Sequence, residues 1–167
     1  MNILLADSRG GGLKSRITKE HRGQVMSRVY PGARINFLTT KAEKMLNTRR
    51  HVTQDTHIYI MGGINDITHK HSSWQYTEVT YTEKSEDTIQ RVINDLENCA
   101  TTIKEKGATP IFCTITSSDI TKYNHHMLKK RWTRTLRHEN QYTNMQTELE
   151  KTIIAINAHI VTMNQLI

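Results

Sequence analysis

A serine at the end of the first apolar run is the first side chain in this sequence that is suited to catalysis. Ser8 follows Asn2–Ala6 and Asp7 and precedes three glycines. A serine at such a turn can face a cleft beside backbone N–H groups, as a nucleophile next to an oxyanion-binding site requires. The same residues are typical of a helix N-cap, which stays open as the alternative. Phosphate-binding glycine motifs do not fit, because Leu13 interrupts the Walker pattern and Ser15 stands where a dinucleotide motif needs glycine.

A second candidate segment follows the apolar run His57–Met61. It contains Gly63, Asn65 and Asp66. An asparagine amide at this point can donate to a developing oxyanion, and glycine lets a substrate approach the backbone closely. An Asx turn is the alternative, because Gly, Asn and Asp are also ordinary loop residues.

Short apolar runs alternate with helical patterns along the chain, which predicts one three-layer α/β domain over residues 1–167 with helices on both faces of the sheet. The predicted strands are Asn2–Ala6, Ala33–Leu38, His57–Met61, Thr109–Thr114 and His159–Met163. The predicted helices run from Leu13 to the Pro31-Gly32 turn, from Thr39 to Val52, from Ser85 to Gly107, and through the region that includes Tyr142 to Ile156. Residues 71–84 are predicted to be an excursion with a short hairpin. The other connections are too long for hairpins, so we expect parallel strands, with the working site beyond their carboxyl ends.

Composition excludes several classes of protein. The chain is 36% hydrophobic with a mean hydropathy of −0.61, and it has no apolar run long enough to span a membrane. Two cysteines, Cys99 and Cys113, are too few for a disulfide framework or a Cys-rich zinc site. We therefore expect an intracellular, cytoplasmic protein without a metal or cofactor. The net charge of +7 favours encounters with anionic partners.

Three blocks of this sequence resemble the SGNH (GDSL-like) hydrolase superfamily. They are Ala6–Ser8, Gly32 and Gly63–Asp66, which stand in the order and at the strand ends typical of that family. The resemblance implies that Ser8 is the nucleophile. It also implies that the backbone N–H groups of Ser8 and Gly32 and the side chain of Asn65 form the oxyanion hole. The supporting residues implied are Asp7, Gly63 and Asp66.

The same resemblance implies a fold and an activity. The fold would be a flavodoxin-like sandwich whose five parallel strands lie in the order 2-1-3-4-5. The activity would be that of a serine esterase or acyl hydrolase acting on a small ester, with no cofactor. Ala6 departs from the family's first block, which usually has glycine there.

The family's Asp-x-x-His block is missing, since no aspartate follows Asp119. Without a base, a serine is a poor nucleophile at neutral pH. Three explanations stand: a chain truncated after strand five, a pseudoenzyme, or another histidine as base. His69 and His71 are the substitutes, because they follow the Asn65 block, although loop histidines are commonly just solvated. His159 is expected to be structural.

A basic cluster supports an alternative function. Residues 121–138 contain six Lys or Arg side chains and no acidic one. If this region is helical, Lys130, Arg134 and Arg137 share one face that can follow a phosphate backbone, and Trp132 can stack on a base. The predicted nucleic-acid-binding set is Lys129, Lys130, Arg131, Trp132, Arg134 and Arg137. A solvated helix face and a partner-binding scaffold of viral or mobile-element origin remain as further alternatives.

Overall fold

A computed structural model describes residues 1–20, 25–73, 76–81, 85–130 and 135–166. Its strands are β1 (Asn2–Ala6), β2 (Val25–Val29), β3 (His57–Met61), β4 (Thr68–Ser73), β5 (Tyr76–Tyr81) and β6 (Thr109–Phe112). Its helices are α1 (Gly10–Glu20), α2 (Ile35–Asn47), α3 (Ile64–Ile67), α4 (Ser85–Glu105), α5 (Ile120–Lys129) and α6 (Tyr142–Gln165), with a short 3₁₀ helix over Glu139–Gln141.

The main sheet is parallel and confirms the α/β class. Its four strands lie in the order β2-β1-β3-β6, and Asn2 pairs with both Val25 and His57. The central strands β1 and β3 are apolar and bury Ile3, Leu5 and Ile58 completely. Strand β1 is buried on both faces from Ile3 onward, whereas β3 alternates between buried and half-buried residues. Strands in the middle of a parallel sheet need such apolar runs, which is why both were visible in the sequence.

The predicted helix up to Pro31 and the predicted strand Ala33–Leu38 are wrong. Helix α1 ends at Glu20, residues Val25–Val29 form β2, and α2 begins at Ile35. The buried residues of α2 are Ile35, Leu38, Thr39, Ala42 and Leu46, spaced as one face of a helix. Strand β2 pairs only with β1 in this sheet, and its burial alternates between half-buried and exposed, so its apolar pattern is weak.

The predicted fifth strand, His159–Met163, is also wrong, because these residues belong to α6. Asn157 and Asn164 of this helix bind the backbone of β6 and of the segment that follows it. Asn164 accepts from the N–H of Phe112 (3.0 Å) and donates to its carbonyl oxygen (2.8 Å). Asn157 makes the same pair of bonds with Ile115, at 2.7 and 2.9 Å. Side chains of α6 therefore satisfy the edge that a fifth strand would have paired, and the described sheet has four strands.

The predicted hairpin is confirmed, although it begins earlier, at Thr68. Strands β4 and β5 pair antiparallel, and Asn124 of α5 binds both the N–H (2.8 Å) and the carbonyl oxygen (2.7 Å) of Val79. The predicted helix from Ser85 forms as α4, and Gly107 follows it with φ of +80°. None of the helices in the described ranges combines the length and hydropathy that a membrane span requires.

Candidate functional site

The carboxyl ends of the four parallel strands surround one cleft of about 560 Å³. It receives residues from the segments that follow β1, β2, β3 and β6, and from the β4–β5 hairpin. The predicted residues that line it are Ser8, Gly32, Asn65 and His69. Cationic residues that the sequence analysis did not select also line it, namely Arg9, Arg34 and Lys70. The strand ends thus bring together residues more than fifty positions apart.

The turn after β1 places Ser8 at the cleft. Asp7 is buried, its N–H donates to the carbonyl oxygen of Met61 (2.9 Å), and its Oδ1 accepts from the N–H of Arg9 (2.9 Å). Ser8 itself is exposed. Burial raises the pKa of Asp7, and the Arg9 backbone N–H and charge act in the opposite direction. Asp7 thus stabilises the turn at the start of α1, while Ser8 remains accessible to a ligand.

A type II turn presents Gly32 to the same cleft. The N–H of Ala33 donates to the carbonyl oxygen of Tyr30 (3.0 Å), with Pro31 and Gly32 between them. Gly32 has φ of +76°, the conformation that position i+2 of a type II turn requires. No atom lies within 4 Å of the place that a Cβ would take. The turn's backbone conformation, rather than packing, therefore accounts for this glycine.

Asn65 lies between two elements of the cleft wall. Its Nδ2 donates to Asp7 Oδ2 (3.3 Å) and to the carbonyl oxygen of Ala33 (3.0 Å). Both amide hydrogens therefore have acceptors within the protein, and donation to a substrate oxyanion requires one of these bonds to open. Gly63 precedes it with φ of +107°, and a Cβ there would lie 2.6 Å from Ile115 Cδ1. A side chain at position 63 would be strained at this φ and would displace the side chain of Ile115.

The carboxyl group of Asp66 binds the backbone at the start of helix α2. The N–H of Ile35, the first residue of α2, donates to Oδ1 (3.3 Å) and Oδ2 (3.1 Å) of Asp66. Arg91 donates to the Asp66 carbonyl oxygen (2.6 Å). Burial raises the pKa of Asp66 to about 6; the Ile35 N–H and the charges of Arg91 and Arg34 lower it, and Asp95 raises it. The residue caps α2, whose own N-cap, Arg34, makes no side-chain cap.

Two histidines, His69 and His71, were predicted as possible replacements for the missing catalytic histidine. The structure places His69 at the cleft. Burial and the charges of Arg34, His71 and Arg91 lower the pKa of His69, so its ring is neutral near pH 7. His71 instead bonds Thr80 Oγ1 through Nε2 (2.8 Å), and it does not line the cleft. Within the described ranges no hydrogen bond joins Ser8 Oγ to a histidine.

A buried carboxylate that the sequence analysis missed belongs to strand β5 of the hairpin. Glu78 is fully buried and accepts hydrogen bonds from Tyr142 Oη, from His138 Nδ1 (3.0 Å) and from the N–H of His138 (3.0 Å). Burial would raise its pKa, but the bonds from Tyr142 and His138 hold that pKa below its ordinary value. The ring of His71 stacks on His138 at 5.9 Å. No sequence pattern indicated this cluster, because its members come from separate elements.

The predicted nucleic-acid face is not formed as one helix surface. Helix α5 ends at Lys129, and Arg137 lies in the non-helical segment before the 3₁₀ helix. Lys129 and Lys130 are exposed. Lys130 is the C-cap of α5, so the chain leaves the helix where the shared face was expected to begin. The other predicted members, Arg131, Trp132 and Arg134, lie outside the described residues.

Neither a cofactor nor a metal site was predicted. Across the ranges that the structure describes, no group of three or more His, Cys, Asp or Glu side chains is arranged to hold a metal ion. Both cysteines have raised thiol pKa values because of burial, that of Cys99 reaching about 11. Neither thiol is therefore suited to act as a thiolate nucleophile near pH 7.

A comparison of the chain with models of protein families finds no match, and a comparison with curated protein sequences also finds none.

Proposed function

We propose that the protein is a serine acyl hydrolase of the SGNH type, in which Ser8 attacks a carboxylic ester bound in the cleft. One observation carries the proposal: Ser8, Gly32, Asn65 and His69 line the same cleft at the carboxyl ends of the parallel strands. Such a crevice is the usual ligand site of an open α/β sheet. The strand order β2-β1-β3-β6 supports a flavodoxin-like sandwich, with α6 covering the edge where a fifth strand would pair.

His69 is the base in this proposal. A neutral imidazole can accept the Ser8 hydroxyl proton, and the lowered pKa of His69 keeps the ring neutral near pH 7. Ser8 Oγ then forms a bond to the ester carbonyl carbon. The carbonyl oxygen becomes an oxyanion, which faces the backbone N–H groups of Ser8 and Gly32 and one hydrogen of Asn65 Nδ2.

The intermediate collapses when the ester C–O bond breaks and the imidazolium of His69 returns the proton to the departing alcohol. Water, deprotonated by the same ring, then attacks the acyl-enzyme and releases the acid and Ser8. Contact between Ser8 and His69 requires the β4 strand to approach the β1 turn when substrate binds. Catalytic hydrogen bonds of unliganded enzymes commonly tighten in this way.

The test is the hydrolysis of 4-nitrophenyl butyrate by the purified chain. We expect Ser8→Ala to reduce the rate to that of spontaneous hydrolysis, and His69→Asn to reduce kcat/KM by roughly 10²–10⁴-fold. Ser117→Ala is the matched control, because Ser117 borders a different concavity and should leave the rate unchanged. Circular dichroism of each variant verifies the fold. An unchanged rate in Ser8→Ala would exclude Ser8 as the nucleophile.

A further inference from the structure

The cleft carries a concentrated positive charge. Arg9, Arg34 and Lys70 line it from three separate segments, and none of its described lining residues is acidic. The nearby carboxyl groups of Asp7 and Asp66 are buried and accept hydrogen bonds from the protein. An anion in this cleft would therefore meet several cations and no facing carboxylate.

The third acidic neighbour, Asp119, belongs to a different surface. It stands between Ser118 and Ile120, which line the cleft, but its side chain accepts from the N–H of Lys122 (2.7 Å). Asp119 lines the separate concavity that also contains Ser117. Its N-cap role in α5 accounts for its position, and its side chain does not line the cleft.

Two of the three cations are available to a ligand. Arg34 and Lys70 are exposed, and within the described ranges their side chains make no ion pair or hydrogen bond. Arg9 has a structural role, since its Nη1 donates to the carbonyl oxygens of Thr116 (2.8 Å) and Ser117 (3.1 Å). Arg9 thus ties the segment after β6 to the turn after β1, and Arg34 and Lys70 remain for binding.

We propose that the cleft selects an ester that carries a second, anionic oxyacid group, a carboxylate or a phosphate, and that Arg34 and Lys70 bind this group while the ester faces Ser8. The inference rests on the proposed hydrolase function for its reaction and on the cleft's charge for its ligand. A guanidinium binds such an oxyanion through two parallel hydrogen bonds, and an ammonium acts as a point charge beside it. The lowered pKa of His69, partly due to the charge of Arg34, is consistent with a positive field in the cleft.

The first experiment compares two esters of similar length. We expect kcat/KM for 4-nitrophenyl hemiadipate to exceed that for neutral 4-nitrophenyl hexanoate by roughly tenfold or more, since one charge-assisted hydrogen bond contributes about that factor. Arg34→Gln with Lys70→Gln should remove the preference, so that the ratio of the two kcat/KM values falls to about one. Lys104→Gln, which removes an exposed charge on α4, should preserve it. Equal rates for the two esters, or variants that lower both rates alike, would overturn the proposal.

A second experiment separates failure of the ligand proposal from failure of the hydrolase proposal. In the Ser8→Ala protein, the His69 ring signals are followed by NMR during titration with monomethyl succinate or inorganic phosphate. Saturable shifts that disappear in the Arg34→Gln, Lys70→Gln variant support anion binding even if no ester is hydrolysed. The anion with the stronger effect shows whether the cleft prefers a carboxylate or a phosphate group. The absence of shifts with both anions overturns the proposal. Tighter binding of single-stranded oligouridylate than of either small anion overturns it in favour of a nucleic-acid ligand.

Discussion

The buried carboxyl group of Asp66 makes the stability of this protein depend on pH. Asp66 is 3% exposed, and burial raises its pKa from 3.8 to about 6. The folded state therefore holds the Asp66 proton more tightly than the unfolded state does. This contribution to stability is fully present below pH 3.8 and is lost as the pH rises through about 6, where the charged carboxylate must remain buried.

The size of the effect follows from the two pKa values. Each pH unit between 3.8 and about 6 changes the free energy of unfolding by about 1.4 kcal/mol, which gives about 3 kcal/mol in total. Asp66→Asn removes the titrating group and keeps an oxygen that can accept from the N–H of Ile35. Relative to the unmodified protein, the variant should gain about 2.5 kcal/mol between pH 4 and pH 8, because part of the total loss already occurs below pH 4. The pH dependence of other groups cancels in this difference.

Urea unfolding followed by circular dichroism at intervals from pH 4 to pH 8 measures this difference. Any constant cost of burying the introduced amide shifts the whole curve and leaves its slope unchanged. Asp55→Asn is the control for the same chemical change at an exposed position. A difference for Asp66→Asn that stays constant within about 0.5 kcal/mol would refute the assigned burial of the charge.

Two further substitutions test the backbone around the site. Gly63→Ala should lower the free energy of unfolding by about 2 kcal/mol, because a Cβ at φ of +107° is strained and meets Ile115. Gly11→Ala, in open space on α1, should instead raise it by up to about 1 kcal/mol; equal effects in urea unfolding would contradict the assignment. Asn157→Ala should cost about 2 kcal/mol and speed hydrogen exchange of the Ile115 amide, whereas Asn144→Ala, exposed on the same helix, should do neither.

The buried central elements could be predicted because their hydrophobic pattern is local. Strands β1 and β3 are short continuous apolar runs, and the long α4 repeats its apolar residues at helical spacing. The polar residues that follow β1 and β3 were then expected at one edge of the sheet, since parallel strands end on the same side. The shared cleft of Ser8 and Asn65 agrees with that expectation.

The β2–α2 region and the chain's last helix could not be predicted in the same way. Ala33–Leu38 and His159–Met163 are short apolar runs, which periodicity alone does not assign to helix or strand. Packing of Ile35 and Leu38 in the core decides the first case. In the second case, the backbone groups at the edge of the sheet beside β6 need hydrogen-bond partners. The side chains of Asn157 and Asn164 supply these partners from helix α6, so no fifth strand is required there.

The sequence by itself determined that this is a basic α/β chain. It also determined that a serine, a glycine turn and an Asn-Asp segment stand at successive strand ends. The tertiary structure decided which side chains share the cleft. It placed Arg34 and Lys70 in the same cleft as Ser8, with no acidic residue among the described lining residues. It also brought His69 rather than His71 to the cleft and engaged both hydrogens of the Asn65 amide. These features depend on contacts between residues tens of positions apart, and such contacts form only when the sheet and the hairpin pack together.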